Sequence, residues 1–262
     1  MTITLGTYDH YLYAAVALIG TFVGAWFLLW VSQRSRHAPV IHTFRGVSPP
    51  FVGVIGVLFA LTLAFLANDT WNARDRALNA VFQEADSLRG IQALAEHLPP
   101  ATRAGLDDAV RGYARVTVAE EWPLLASRRS SRAASDQLDA LLALVSSEAV
   151  ASHLSAAVQS SMLEQVIQVR TARNLRIALS QTHVNPLKWL GMASLGFLTM
   201  ITIAMIHVDQ ARAEFLAVML FAGAAAPTAA IVLVQGNPFQ QPAAISSAPI
   251  ATLLEGVALA AR

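Results

Sequence analysis

At 262 residues, with 55% apolar, only 13% charged and a mean hydropathy of +0.50, the chain departs from soluble domains, in which about a quarter of residues are charged. A net charge of +1 gives no electrostatic footprint for nucleic acid, and the lack of cysteine excludes disulfides, thiolate metal sites and cysteine nucleophiles. Of the 18 basic and 17 acidic side chains, 25 fall between Asp69 and Arg176, so one part of the chain suits lipid and another suits water.

Four segments, 11–31, 47–67, 187–207 and about 215–234, are long enough for a hydrocarbon core of about 30 Å, which takes about 20 helical residues. They contain no Lys, Arg, Asp or Glu except Lys188, which stands at the mouth of the third and is placed to snorkel to headgroups. Tyr11, Tyr13, Trp26, Trp30, Trp71 and Trp189 sit near the ends, where aromatic anchors belong. Four buried helices of a soluble protein are excluded, because the rest of the chain would not cover that much apolar surface. No Lys or Arg precedes Arg34 and the first apolar run is too long for a cleaved signal, so it is expected to be retained. The short connections 32–46 and 208–213 pair the helices as two hairpins.

Between the pairs, Leu78, Val81, Phe82, Ala85, Leu88, Gln92 and Ala95 keep close to a 3.6-residue period, so 71–97 continues helix 2 beyond the membrane. Leu98-Pro99-Pro100 ends it. A helix from about 101, with Leu106, Val110, Tyr113 and Thr117 on one stripe, is expected to stop near Trp122-Pro123. A basic, serine-rich connector (128–135), a helix at 136–145 and a long helix from about 148 to 180 follow, and Asn185-Pro186 breaks the chain before helix 3. The tail is Pro-, Gln- and Ser-rich at first, then helical in pattern at 252–260, as an amphipathic helix folding back on the domain or the membrane surface. The expectation is an all-α membrane protein: transmembrane helices 1 and 2 in 11–67, a soluble helical domain 68–186 inserted between helices 2 and 3, transmembrane helices 3 and 4 in 187–235, and a C-terminal tail 236–262.

Orientation follows from the short loops, which carry the topogenic weight. Arg34, Arg36 and Arg45 lie in the first and Arg212 in the second, which puts the termini and the helical domain outside the cytoplasm.

No HExxH, GxSxG, Gly-rich phosphate loop or dinucleotide fingerprint is present, and the seven histidines lack metal-ligand spacing. No catalytic residue, cofactor or metal is expected. Helix 2 is the most informative segment. Gly53, Gly56, Ala60, Ala64 and Ala67 form a small face suited to close helix approach. A second face carries Phe51, Ile55, Leu58, Thr62 and Phe65 and ends at Asp69. If several copies ring an axis, this face lines a narrow apolar pore that closes by dewetting, with Thr62 and Asp69 as polar points; otherwise it faces lipid or other helices. Gly20 and Gly24 make a GxxxG pattern in helix 1, and Pro227 is positioned to kink helix 4. Arg170, Arg173 and Arg176 recur every three residues, with Glu84, Asp86, Glu120 and Glu121 as partners in structural salt bridges or, alternatively, around an anion-attracting vestibule. Glu120 and Glu121 point about 100° apart on a helix, which disfavours a shared cation site.

The run Gly56–Phe65, then Trp71, Glu84-Ala85 and Leu88, resembles the bacterial bestrophin-like domain family of membrane proteins. Leu98-Pro99, Tyr113, Glu121-Trp122-Pro123, Arg173, Arg176, Pro186, Trp189 and Asn237-Pro238-Phe239 extend the resemblance over nearly the whole chain. It marks Glu84, Tyr113, Glu121, Trp122, Arg173 and Arg176 as the family's structural motif residues. The resemblance implies a distant relation to bestrophins, pentameric anion channels whose second helix lines a hydrophobic neck, and so a homo-oligomer with helix 2 inward. Its partners are then the lipid bilayer, further copies of itself and small inorganic ions, with no nucleic acid. Bestrophins keep their helical domain in the cytoplasm, opposite to the loop charges of this chain, and an axial Asp69 would favour cations. The alternative is a non-conducting membrane scaffold or sensor whose helical domain binds a partner.

Overall fold

The computed structural model describes residues 9–43 and 49–255, and these are helical with no strand among the described residues. Arg45, the first two residues of the expected second span (47–48) and the end of the expected tail helix (256–260) lie outside the described residues. Among the described residues four helices are long and apolar enough to cross a membrane: α1 (Asp9–Arg34), α3 (Pro49–Ala95), α9 (Pro186–Ile206) and α10 (Ala211–Val234). The 26 residues of α1 reach about 39 Å at 1.5 Å per residue, more than a bilayer core requires. Between α1 and α3 lies α2 (Ala38–Thr43), which the sequence pattern did not signal.

The chain divides into two compact units. The first comprises Met1–Asn72 and His183–Gly236 and holds α1, α2, α9, α10 and the N-terminal half of α3. In it α1 lies chiefly along α10, and α9 packs on both. Ala25, Met200, Ala204, Val218 and Ala222 form one apolar seam; Phe59 and Leu66 of α3 with Met192 and Ala229 form another. Gly196 leaves room for the Phe59 ring, since a Cβ there would stand 3.1 Å from it, and Phe59 in turn lies 5.5 Å from the Phe221 ring. Asn185 caps α9, its Oδ1 accepting from the Leu187 and Lys188 amides at 3.1 and 3.3 Å, while Pro186 occupies a first-turn position where its missing N–H costs nothing.

Gly236 shows how tightly this unit closes. A Cβ at that position would lie 2.0 Å from Nδ1 of His10, whose ring is buried and has little room to turn away. Gly236→Ala is therefore expected to destabilise the protein by about 1–3 kcal/mol, a drop of several degrees in the thermal midpoint of the detergent-purified chain. An unchanged midpoint would mean that the ring relocates freely.

The second unit comprises Ala73–Thr182 and Asn237–Arg262. The remainder of α3 buries Ala77, Val81, Ala85, Leu88, Ile91 and Ala95 along one stripe, as the helical period requires. Against it pack α4 (Pro100–Val116), α6 (Arg132–Val145), α8 (Ala156–Ser180) and the short tail helix α11 (Ala248–Glu255), with Tyr113, Leu141, Val166 and Ile250 in the common core. The tail helix α11 begins four residues before the expected 252, and three further boundaries differ from expectation. The helix does not stop at Trp122-Pro123: a π-helical turn, Thr117–Glu121, leads into α5 (Trp122–Ala126), and the widened turn takes up the amide bond that Pro123 cannot make. Helix α6 starts at Arg132, because the Ser131 hydroxyl accepts from the Ala134 amide at 3.3 Å and caps it. The expected helix from 148 to 180 is two, α7 (Glu148–Ala151) and α8, the second capped by Ser155.

Candidate functional site

Two groups of residues stand out, one in each unit. In the first unit, the expected pore stripe falls on a single face of α3. Phe51, Leu58 and Phe65 are spaced by seven residues and are 52, 48 and 68% exposed; Ile55 and Thr62 are half-buried between them. Phe59 and Leu66, which pack inside the unit, each follow a stripe residue by one position, about 100° further round the helix. The stripe thus borders the packed face of α3, and Val54, Val57 and Leu61, 60, 58 and 49% exposed, carry the exposed surface further round the helix. Thr62 Oγ1 donates to the Leu58 carbonyl at 2.8 Å, which leaves its oxygen lone pairs outward. Asp69 is exposed and paired with Lys188 Nζ at 2.9 Å, so its charge is not the isolated one the sequence suggested. Of the small face, Ala67 is buried and Gly53, Ala60 and Ala64 remain exposed.

In the second unit all six motif residues converge in one cluster. Glu84 comes from α3, Tyr113 from α4, Glu121 from the π-helical turn, Trp122 from α5, and Arg173 and Arg176 from α8, three residues apart so that both point inward. Arg176 Nε and Nη2 donate to the two oxygens of Glu84 at 2.9 and 3.0 Å, and Nη2 donates also to Glu121 at 2.9 Å. Arg173 grips Glu121 through Nε at 3.1 Å and Nη2 at 2.5 Å. The Tyr113 hydroxyl donates to Glu84 at 2.6 Å, and the Ser131 amide donates to Glu121 at 3.1 Å. Trp122 covers the cluster, its ring centroid 5.0 Å from the Arg176 guanidinium, its indole N–H on the Ile245 carbonyl and its edge against Phe239 of the tail. Two guanidinium and two carboxylate charges cancel in a site with almost no solvent contact. Of the four expected acidic partners the fold selects Glu84 and Glu121. Asp86 pairs instead with Arg89 and Glu120 with the Ser131 hydroxyl, while Arg170 reaches Asp139.

Such a cluster fixes five elements to one another through buried, mutually bonded charges, so its chemistry is that of a clamp. Burial would by itself raise the Glu121 pKa, but the hydrogen bond from Arg173 and the charge of Arg176 outweigh it and hold the carboxyl below its usual range. Burial, reinforced by the Glu84 charge, pushes the Tyr113 phenol well above its ordinary value. Burial opposes charge on Arg173 and Arg176 too, and the two glutamates more than reverse it. The signs fix two pH limits. A depressed carboxyl stabilises the fold above its ordinary pKa, and that contribution is lost as pH falls through the lowered value. A raised phenol stabilises below its ordinary value of 10.0 and loses the contribution as pH rises toward the raised one. The thermal midpoint is therefore expected to fall on acidification from pH 6 toward about 3 and again above about pH 10. Glu121→Gln should flatten the acid limb.

Sequence inspection missed a third constellation. Glu214, at the start of α10, is fully buried in the first unit; it accepts from the Ser32 hydroxyl at 2.5 Å and from the Gln33 amide, and that amide also bonds the Val208 carbonyl at 3.0 Å. The signal available was a lone acid at the head of an apolar span with Ser32-Gln33 at the opposite end of another.

The fold has solved counterparts. A bacterial bestrophin homologue from Klebsiella pneumoniae matches in two variant structures, both with a TM-score of 0.62 and 15% identity, one covering 92% of this chain and 94% of its own, the other 97% and 98%. A crystal structure described only as a membrane protein gives a TM-score of 0.65 at 15% identity, over 94% of this chain and 96% of that one. At that identity the likeness speaks to the fold. Among curated proteins none matches the sequence. The Bestrophin-like domain model matches residues 19–250, which is most of the chain, and the chain belongs to the Bestrophin-like domain family.

Proposed function

We propose that this chain is the subunit of a homo-oligomeric ion channel of the bacterial inner membrane, a pentamer in which α3 lines the pore through Phe51, Ile55, Leu58, Thr62, Phe65 and Asp69. In this reading the membrane spans form two hairpins (11–67 and 187–235), 68–186 is a soluble helical vestibule that projects to the periplasm, and 236–262 is a tail. The observation that carries it is the broad exposed apolar face of α3, which includes Phe51, Leu58 and Phe65 repeated every seven residues and which the helix's own packing leaves uncovered. Self-association has a second support. Leu78 and Phe82 on α3 and Ile167 and Leu175 on α8 are exposed in the charged part of the chain, where no lipid would cover them. The buried arginine–glutamate cluster then serves as the rigid joint that carries the end of α3.

The test is reconstitution of the purified chain in planar bilayers with asymmetric salt. Unitary currents with a defined reversal potential, altered by substitutions at Phe65 and Thr62, support the channel. Silence of the wild type and of both variants sinks it and leaves the non-conducting scaffold or sensor.

A further inference from the structure

At the end of the first unit where α1 finishes and α10 begins, a cavity of about 320 Å³ opens between the two helices. Trp26, Leu29 and Trp30 of α1 and Phe215 of α10 wall it, and Gln33, Arg34 and Ala211 close its upper end. A shallow second cavity of about 470 Å³ follows the same face of α1 deeper, along Phe22, Ile19 and Leu18, and the two share Trp26. Residues 18, 22, 26, 29 and 33 advance by three or four, so this is one continuous helix face. From Arg34 to Leu18 it runs about 24 Å, comparable to a lipid headgroup followed by much of an acyl chain.

The chemistry changes along this track. Its lower part is apolar, and its aromatic section is exposed although the side chains are large: Trp26 66%, Phe215 56%. Its upper end is cationic. Arg34 has no ion-pair or hydrogen-bond partner among the described residues, and neither does Arg212, three positions before Phe215 on the same side of α10. Of the acids next to Arg212 along the chain, Glu214 is turned into the bundle with its oxygens held by Ser32 and Gln33, and Asp209 lies 3.3 Å from the His42 ring. A second copy packed along the track would present one of its apolar spans, and none of the segments 11–31, 47–67, 187–207 and 215–234 holds an Asp or Glu to pair a guanidinium. A phosphate diester on a hydrocarbon chain offers both, with charge-assisted, bidentate geometry at arginine.

We propose that this groove is a binding site for one anionic phospholipid, its phosphate held by Arg34 and Arg212 and an acyl chain laid along α1 past Trp26 to Leu18. The site occupies the seam between α1 and α10 and does not depend on whether the chain conducts.

Bromine on a lipid tail quenches tryptophan on contact, which gives a direct readout. The full-length protein is reconstituted in phosphatidylcholine vesicles doped with either brominated phosphatidylglycerol or brominated phosphatidylcholine. Wild-type fluorescence is expected to be half-quenched at an about 25-fold lower mole fraction of the anionic lipid, since each of the two surface arginines is worth about fivefold toward such a headgroup. In R34Q/R212Q the two quenching curves should coincide, with the phosphatidylcholine curve unmoved, which shows that the fold is kept. Should the double variant fail to reconstitute, R34Q alone is expected to lose about fivefold of the preference. The preference should also vanish in W26F/W30F, where the remaining tryptophans report on other surfaces. Equal quenching by both lipids in the wild type overturns the proposal, and so does a preference that survives either double variant. If neither lipid reaches Trp26 and Trp30, a second copy covers the groove and the lipid assignment is wrong.

Discussion

Arg176→Met is expected to destabilise the second unit by about 3–5 kcal/mol and to lower its thermal midpoint by about 10 °C or more. Arg176 is fully buried and bonds both glutamates, taking each oxygen of Glu84 and one of Glu121. Without it, the cluster holds two carboxylates against one guanidinium. Glu84 then keeps only the Tyr113 hydroxyl from among its partners in the cluster, and a neutral donor does not offset the loss of solvation of a buried anion. The packing lost is small by comparison, because methionine fills much of the same volume. The size of the effect thus comes from the stranded charge, and removing that charge should reverse it. Glu84→Gln in the Arg176→Met background is expected to recover about half of the loss, since replacing both members of a buried pair is often close to neutral. Arg176→Lys should fall between, because a single ammonium cannot bridge two carboxylates with the fork that Nε and Nη2 provide. Thermal melts followed at the near-ultraviolet signal of Trp122, which stacks on this guanidinium, read the cluster directly. A midpoint within about 1 °C of wild type for Arg176→Met would mean that the cluster is not a structural joint.

How much of this was legible beforehand depends on the range of the interaction concerned. Hydrophobic length announces the spans, and Asn185-Pro186 marks the start of α9 through local capping chemistry. The burial of Ala77, Val81, Ala85 and Leu88 follows from period alone. Helix ends set by a compensating distortion were not legible: Pro123 reads as a stop, and only the π-helical turn before it lets the helix proceed. The basic stripe and four acidic candidates were visible, but the choice of Glu84 and Glu121 over Asp86 and Glu120 is made by the packing of α3 and the π-helical turn against α8, which brings residues 92 and 55 apart in sequence to Arg176. Glu214 escaped for the same reason, since its partners Ser32 and Gln33 lie 182 and 181 residues away. Periodicity sees one helix at a time. A polar contact between helices is invisible to it.

The second large effect is expected at the α3 stripe. Phe65→Ala should raise unitary conductance about tenfold in the bilayer assay, the change produced by lowering a barrier by about 1.4 kcal/mol. Phe65 is the most exposed of the three aromatic and aliphatic stripe positions spaced by seven, so in an assembly around α3 its ring would be the narrowest apolar point, where water is least stable. Truncation widens that point and lowers the cost of wetting it. Thr62 acts differently. Its hydroxyl proton is committed to the Leu58 carbonyl, so only oxygen lone pairs face outward, and Thr62→Val should reduce cation passage without opening the constriction. Asp69 decides how far charge contributes. Paired with Lys188 at 2.9 Å, it presents a nearly neutral couple at the end of the stripe. Lys188→Gln leaves the carboxylate alone, and the reversal potential in asymmetric salt should move toward the cation value. Exposed pairs of this kind are worth about 1 kcal/mol or less to the fold, so Lys188→Gln should leave the melting midpoint in place while selectivity moves. A Phe65→Ala channel with wild-type conductance, together with a Lys188→Gln reversal potential that does not shift, would place the stripe against lipid and the conduction path, if there is one, elsewhere.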